Sequence, residues 1–196
     1  MGFEAPLPAG VVLAGGLSRR MAGLDKACAL LGGETLLERA LRRLSPQVAG
    51  LAVNANLPPE RLPPLGGVPV LVDVVGGFAG PLAGVHAGLV WARAMGHREL
   101  VTVAVDTPFF PDDLARRLSG NGLAVAMSGG RVHPVFASWP VALEERLSSH
   151  LAQGGARVMG FLEDCGFRTE EWPVGDCDPF FNINTPADLA AAEARL

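Results

Sequence analysis

Short runs of apolar, often β-branched residues alternate along this chain with longer stretches in which apolar residues recur at helical spacing. That alternation is the signature of βα units wrapped around a parallel sheet. Residues 10–14 (GVVLA) read as a strand buried on both faces, and residues 15–26 as a polar, glycine-containing loop. A helix is predicted over 34–45, with Leu37, Leu41 and Leu44 on one face, Glu38 and Arg42 paired outside, and Pro46 as its stop. Residues 50–54 (GLAVN) form the next strand, and the Pro-rich stretch 57–64 excludes a helix. A strand over 68–72 ends on Asp73, and Pro81 opens a helix to about Met95. A further strand over 99–105 (ELVTVAV) ends on Asp106, and Pro111 starts a short helix. Strands are predicted over 123–127 and 135–139, a helix from Pro140 to about Gln153, and strands over 168–174 and 180–184. The last helix has an explicit start in Thr185, Pro186 and Asp188, a capping box with Asp for Glu, and is expected to run to the C-terminus. With no repeat or linker, residues 1–196 read as one α/β domain.

Composition narrows the function classes. At 49% hydrophobic and 18% charged residues the chain can build a core, which excludes disorder. A net charge of −4 leaves no overall basic field, so neither nucleic acid nor a membrane surface is an expected partner, and a phosphate ligand must be held by a local site. Cys28, Cys165 and Cys177 are odd in number and lack a CxxC pair, which fits the reducing cytoplasm better than a disulfide framework or a zinc site. The first residues lack a basic n-region and the run VVLA is too short to span a bilayer, so neither signal peptide nor anchor is expected. Among 16 cationic side chains Lys26 is the one lysine.

Parallel α/β sheets bind ligands outside the carboxyl ends of their strands. The polar residues there are the loop GGLSRRMAGLDK, Asn54, Asp73 and Asp106. The loop sets Gly15, Gly16, Arg19, Arg20, Asp25 and Lys26 between strand and helix, and its glycine-freed backbone N–H groups and cations suit a triphosphate. It fits neither the Walker A pattern nor GxGxxG, and solvated arginines in an ordinary turn are the plainer alternative. Asp73 and Asp106 close apolar strands, and carboxylates beside a phosphate loop suggest Mg2+; a turn-capping role is the alternative, weaker for Asp106 because Pro108 and Pro111 fix its loop. His86, His97 and His133 are too scattered for a metal set, Cys28 reads as packing, and no GxSxG motif supports a hydrolase. Phe109, Phe110, Phe180 and Phe181 read as core or rim packing.

The stretch LAGGLSRRMAGLDK resembles the signature of molybdenum cofactor guanylyltransferases. VNAN at 53–56, GPLAG at 80–84 after the Asp73 loop, DTPFFP at 106–111, RVHP at 131–134, ARVM at 156–159 and FNINTPADL at 181–189 follow in the family's order, over nearly the full length. The LAGG form resembles this branch more than the LAAG form of related cytidylyl- and sugar nucleotidyltransferases. The resemblance implies a Rossmann-like nucleotidyltransferase fold, a mostly parallel central sheet with helices on both faces, that transfers GMP from GTP to molybdopterin with Mg2+. On the same basis Leu13, Ala14 and Gly15 lie against GTP, Gly16 and Arg20 shape the phosphate loop, Lys26 holds phosphates, and Asn54 and Asp73 contact the nucleotide. Asp106 contacts GTP and ligates Mg2+, while Gly80, Gly84, Arg157, Asn182 and Asn184 face the pterin. Ala22 departs from the family's usual Gly. Other molybdenum cofactor biosynthesis proteins and molybdoenzymes are the implied transient partners. The competing readings are a transferase using CTP or a small phosphorylated acceptor, and an idle module that binds nucleotide or molybdopterin.

Overall fold

The chain is described here by a computed structural model that covers residues 6–15, 26–74 and 80–196. In order it forms β1 (Ala9–Leu13), β2 (Leu30–Leu31), β3 (Glu34–Thr35), α1 (Leu36–Leu44), β4 (Gly50–Asn54), β5 (Val70–Leu71), α2 (Pro81–Ala94) and β6 (Glu99–Ala104). Then follow α3 (Leu114–Leu118), β7 (Ala124–Ser128), β8 (Arg131–Pro140), α4 (Glu144–Ala152), α5 (Val158–Cys165), β9 (Arg168–Trp172) and α6 (Pro186–Glu193).

Seven strands make one sheet in the order β5-β4-β1-β6-β8-β7-β9, and β2 pairs with β3 separately. β5, β4, β1 and β6 are mutually parallel, β8 runs against both β6 and β7, and β7 is parallel to β9. All strands of the seven-stranded sheet but β8 therefore point the same way, and their carboxyl ends share one edge. β1 is buried along its whole length, as its unbroken apolar run requires. Ala9, Val11 and Leu13 pack with Leu82, Val85 and Leu89 of α2, whereas Val12 turns to the opposite layer with Leu36, Leu37 and Leu44 of α1. Side-chain alternation along a single strand thus feeds two cores.

Several boundaries differ from expectation for identifiable reasons. The strand predicted over 68–72 shrinks to Val70–Leu71, at the edge of the sheet, where Pro69 has no N–H to donate. Glu34 and Thr35 pair with Leu31 and Leu30 across Gly32 and Gly33, both at positive φ, before Thr35 caps α1. The Pro-rich stretch does admit one helical turn, Pro59–Arg61, of the 3-10 type. α3 starts at Leu114 and not at Pro111, and Pro140 ends β8, leaving α4 to begin at Glu144 after a short turn. β8 reaches back to Arg131 because Gly129 and Gly130, at φ 53° and 74°, close a tight hairpin with β7. No strand forms over 180–184; Phe180 N donates to Asp178 Oδ1 and Ile183 N to the Asp106 carbonyl, so those amides have no ladder partner. α5, which the apolar spacing of Val158, Phe161, Leu162 and Cys165 supports, is an addition to the expected elements, and α6 stops at Glu193. Among the described residues no helix is long and apolar enough to cross a membrane.

Candidate nucleotide-phosphate site

Asn54 closes β4, and Asp73 and Asp106 lie two residues beyond the ends of β5 and β6. The ladder carries backbone order right up to this edge. Ala14 N donates to the Asn54 carbonyl at 2.8 Å, Val105 N to Leu13 at 3.1 Å and Ala55 N to Leu71 at 3.0 Å. Gly15, the last described residue before the loop, is exposed beside the Asn54 side chain. Gly16, Arg19, Arg20 and Asp25 lie outside the described residues.

At the β6 end, Lys26 Nζ donates to Asp106 Oδ2 at 2.7 Å and to Asn184 Oδ1 at 2.6 Å. Lys26 and Asp106 are each about one-fifth exposed, so the pair is shielded yet reachable by an anion. Eighty residues separate the partners, and a further 78 separate Asp106 from Asn184; only the sheet and the return of the C-terminal segment unite them. Thr107 donates its hydroxyl to Asn182 Oδ1, while Asp106 Oδ1 sits 3.4 Å from the same hydroxyl. A hydroxyl has one proton, so the longer contact leaves Asp106 Oδ1 without a full hydrogen bond from Thr107. Asn182 and Asn184, expected toward a pterin, therefore adjoin the Lys26–Asp106 pair.

At the other end of the edge, Asp73 is clamped by two amides. Asn54 Nδ2 donates to its Oδ1 at 3.0 Å and Asn56 Nδ2 to its Oδ2 at 2.7 Å, while Asp73 N donates to Asn56 Oδ1 at 3.1 Å. β4 and β1 stand between β5 and β6, so three inter-strand steps, roughly 14 Å, separate this end from the Asp106 end. The two carboxylates do not form the shared metal pair that their strand-end positions suggest. Among the described residues no cluster of three or more His, Cys, Asp or Glu could hold an ion.

Between these ends lies the start of α2. A Cβ on Gly84 would stand 2.2 Å from Asn54 Oδ1, so only glycine lets the helix approach the buried amide. Gly80, the N-cap residue, is exposed, and a Cβ there would lie 3.5 Å from the Ala156 carbonyl; Arg157, next in sequence, is exposed at the N-cap of α5. The start of α2 thus lies against the backbone that leads into α5.

The other titratable candidates stand apart. Burial pushes the pKa of His86, inside α2, below the ordinary value despite Glu144 nearby, and His97 packs against Trp91. Burial raises the Cys165 thiol, which argues against a reactive thiolate. Sequence reasoning missed Thr107 and Asn56. Both fall inside the stretches DTPFFP and VNAN, so position within a motif was the available signal.

An ammonium on the 3-10 turn Lys26–Cys28 and a carboxylate, set at the carboxyl edge of a mostly parallel sheet, are an arrangement suited to nucleotide phosphates. Residues 10–165 match the family model described as the MobA-like NTP transferase domain, and the chain belongs to that family. It is 52% identical over 190 residues to a molybdenum cofactor guanylyltransferase of Cereibacter sphaeroides, covering 95% of this chain and 96% of that one. The fold is that of a molybdopterin-guanine dinucleotide biosynthesis protein A from Archaeoglobus fulgidus, with TM-score 0.71, 24% identity and coverage of 95% and 97%. A manganese complex of a Mycobacterium tuberculosis protein shares it at TM-score 0.68 and 18% identity, covering 97% of this chain and 100% of that one.

Proposed function

We propose that this chain transfers GMP from GTP to the terminal phosphate of molybdopterin, forming the guanine dinucleotide form of the cofactor and releasing pyrophosphate. The observation that carries the reading is Lys26, held between Asp106 and Asn184 at the β6 edge of a MobA-like fold. An oxygen of the acceptor phosphate attacks the α-phosphorus of GTP, and the bond to the pyrophosphate oxygen breaks in line. Such a reaction needs positioning and charge neutralisation more than covalent help. Lys26 is already aimed by two acceptors, so it meets a phosphate oxygen by exchanging one partner.

Leu13, Ala14 and Gly15 receive the nucleotide through backbone groups, and Asn54 and Asp73 serve its base end. Gly80, Gly84 and Arg157 serve the acceptor side, with Asn182 and Asn184 where the two substrates meet. Gly16 and Arg20 belong to the phosphate loop on sequence alone. Mg2+ suits Asp106, because this cation is commonly held by one or two carboxylates plus substrate phosphates, and Asp106 Oδ1 has capacity to spare. Bound there, the cation supplies Lewis-acid neutralisation of the phosphates. On the same reading the chain works as one domain across 1–196 in the cytoplasm and passes its product on by transient contact.

Pyrophosphate release by the purified protein with Mg2+ and molybdopterin, run in parallel with GTP, CTP and ATP, tests the proposal. Release with GTP alone is expected. A preference for CTP refutes the guanylyl assignment, and silence with all three refutes nucleotidyl transfer to this acceptor.

A further inference from the structure

Three polar side chains that play no part in the site above meet directly behind its C-terminal segment. Ser128, the last residue of β7, and His133, on β8, are 1% and 8% exposed. Ser128 Oγ lies 2.8 Å from His133 Nε2 and 2.8 Å from Asp178 Oδ1. The proton count orders the chain. A carboxylate only accepts and a serine has one proton, so Ser128 donates to Asp178 and His133 donates from Nε2 to Ser128. Burial holds the imidazole below its usual pKa against the opposing pull of Asp178, so the neutral ring is the Nε2–H tautomer. Asp178 Oδ1 also accepts from Phe180 N at 2.9 Å, and the Phe180 ring stacks on His133 with centroids 4.4 Å apart.

The same three residue types make hydrolytic triads, but the bonds run the wrong way here. In a triad the carboxylate holds the imidazole and the imidazole takes the serine proton. In this chain the carboxylate takes the serine proton, and the hydroxyl is buried away from any substrate.

What the three groups do is hold the start of a short segment whose far end enters the phosphate site. Two residues past Phe180, Asn182 accepts from Thr107, then Ile183 N donates to the Asp106 carbonyl at 2.8 Å, and Asn184 Oδ1 accepts from Lys26. Downstream, Asn184 N is itself held by Asp188 Oδ2 at 2.9 Å. The segment is pinned at both ends, and the upstream pin is Asp178. We infer that His133, Ser128 and Asp178 form a positioning relay that sets residues 182–184, and through them Lys26 and Asp106, against the substrate phosphates. The inference rests on the nucleotidyl-transfer reading, because it is the reacting phosphates that the relay serves.

The test compares Asp178→Ala with Asp178→Asn in the pyrophosphate-release assay, beside the unaltered protein. Asparagine keeps an Oδ1 acceptor for Ser128 and for Phe180 N–H; alanine keeps none. Displacement of a reacting group by about 1 Å costs up to about 10²-fold, so Asp178→Ala is expected to lower kcat by about 10- to 100-fold. The KM for GTP moves far less, and Asp178→Asn recovers most of the lost rate. Unchanged kcat in Asp178→Ala, or an equal loss in both variants, overturns the relay. A second measurement needs no variant and no turnover: imidazole 15N shifts of the unaltered protein near neutral pH. A neutral His133 ring protonated at Nε2 is expected, and the Nδ1–H tautomer overturns the bonding order. If the unaltered protein releases no pyrophosphate, the transfer reading fails, while the 15N result still judges the relay's hydrogen bonds.

Discussion

Lys26 and Gly84 show how much of this site rests on single atoms. Lys26 supplies the ammonium that bridges Asp106 and Asn184, and on the proposed reading its loss removes a charge-bearing donor to the transferred phosphate. Lys26→Ala is expected to lower kcat by about 10²–10³-fold, the effect of deleting one transition-state donor, as steady-state pyrophosphate release will show. Gly84 supplies the absence of an atom. A methyl group there meets Asn54 Oδ1 at 2.2 Å and Cγ at 2.8 Å, and Asn54 cannot retreat without leaving Asp73. Gly84→Ala is therefore expected to raise the KM for GTP at least about tenfold, equivalent to about 1.4 kcal/mol of lost binding. An unaltered KM shows that the Asn54–Asp73 contact does not serve the nucleotide. Both residues were visible in the sequence, one as the lone lysine and the other inside GPLAG. Their partners were not, because Asn184 and Asn54 lie 158 and 30 positions away and no local pattern encodes such pairings.

Among the elements, the helix start at Thr185 and Pro186 was legible because capping chemistry is local, whereas the starts read at Glu34, Pro111 and Pro140 fall instead at Leu36, Leu114 and Glu144. Thr35 and Thr185 each cap a helix with the reciprocal bonds of a capping box, to Glu38 and Asp188. Thr185→Ala is expected to cost about 1 kcal/mol in denaturant unfolding, with an unchanged m-value. Acid reports the same caps. The Thr35 side chain holds Glu38 below the usual carboxylate range, and the Asn184 backbone N–H, with the Thr185 contacts, does the same for Asp188. A carboxylate depressed in the folded state stabilises fully above its unfolded pKa, about 4, and the gain is lost as pH falls through the lower folded value. Unfolding midpoints measured from about pH 6 down to about pH 3 should fall on acidification, and Asp188→Asn should flatten that slope. Elements without such punctuation were misjudged. Segment 180–184 alternates like a strand, yet its amides bond to Asp178 and Asp106 and not to a neighbour in the sheet. α5 is short and carries Gly160 in its interior, which hid it.

Across the whole molecule, the junction of the parallel and antiparallel parts of the sheet is held by one buried polar chain. Trp139 Nε1 on β8 donates to Thr102 Oγ1 on β6 at 2.9 Å, and that hydroxyl donates to the Val135 carbonyl at 2.8 Å. Both side chains are fully buried. Thr102→Val keeps the shape but orphans an indole N–H and a carbonyl, with an expected loss of roughly 1–3 kcal/mol in chemical denaturation. A variant as stable as the parent shows that water or repacking satisfies those groups. Only at this scale does the site exist. The alternation of apolar and polar residues, the strand-end aspartates, the single lysine and the Thr185 cap are short-range features, and they were enough for an α/β chain with a phosphate-binding edge. The antiparallel insertion of β8, the two-strand gap that parts Asp73 from Asp106, and the return of residues 178–184 to Lys26 depend on which strands pair and which loops pack. Those choices minimise exposed apolar surface and unpaired backbone groups over the entire chain, a condition that no stretch of sequence states locally.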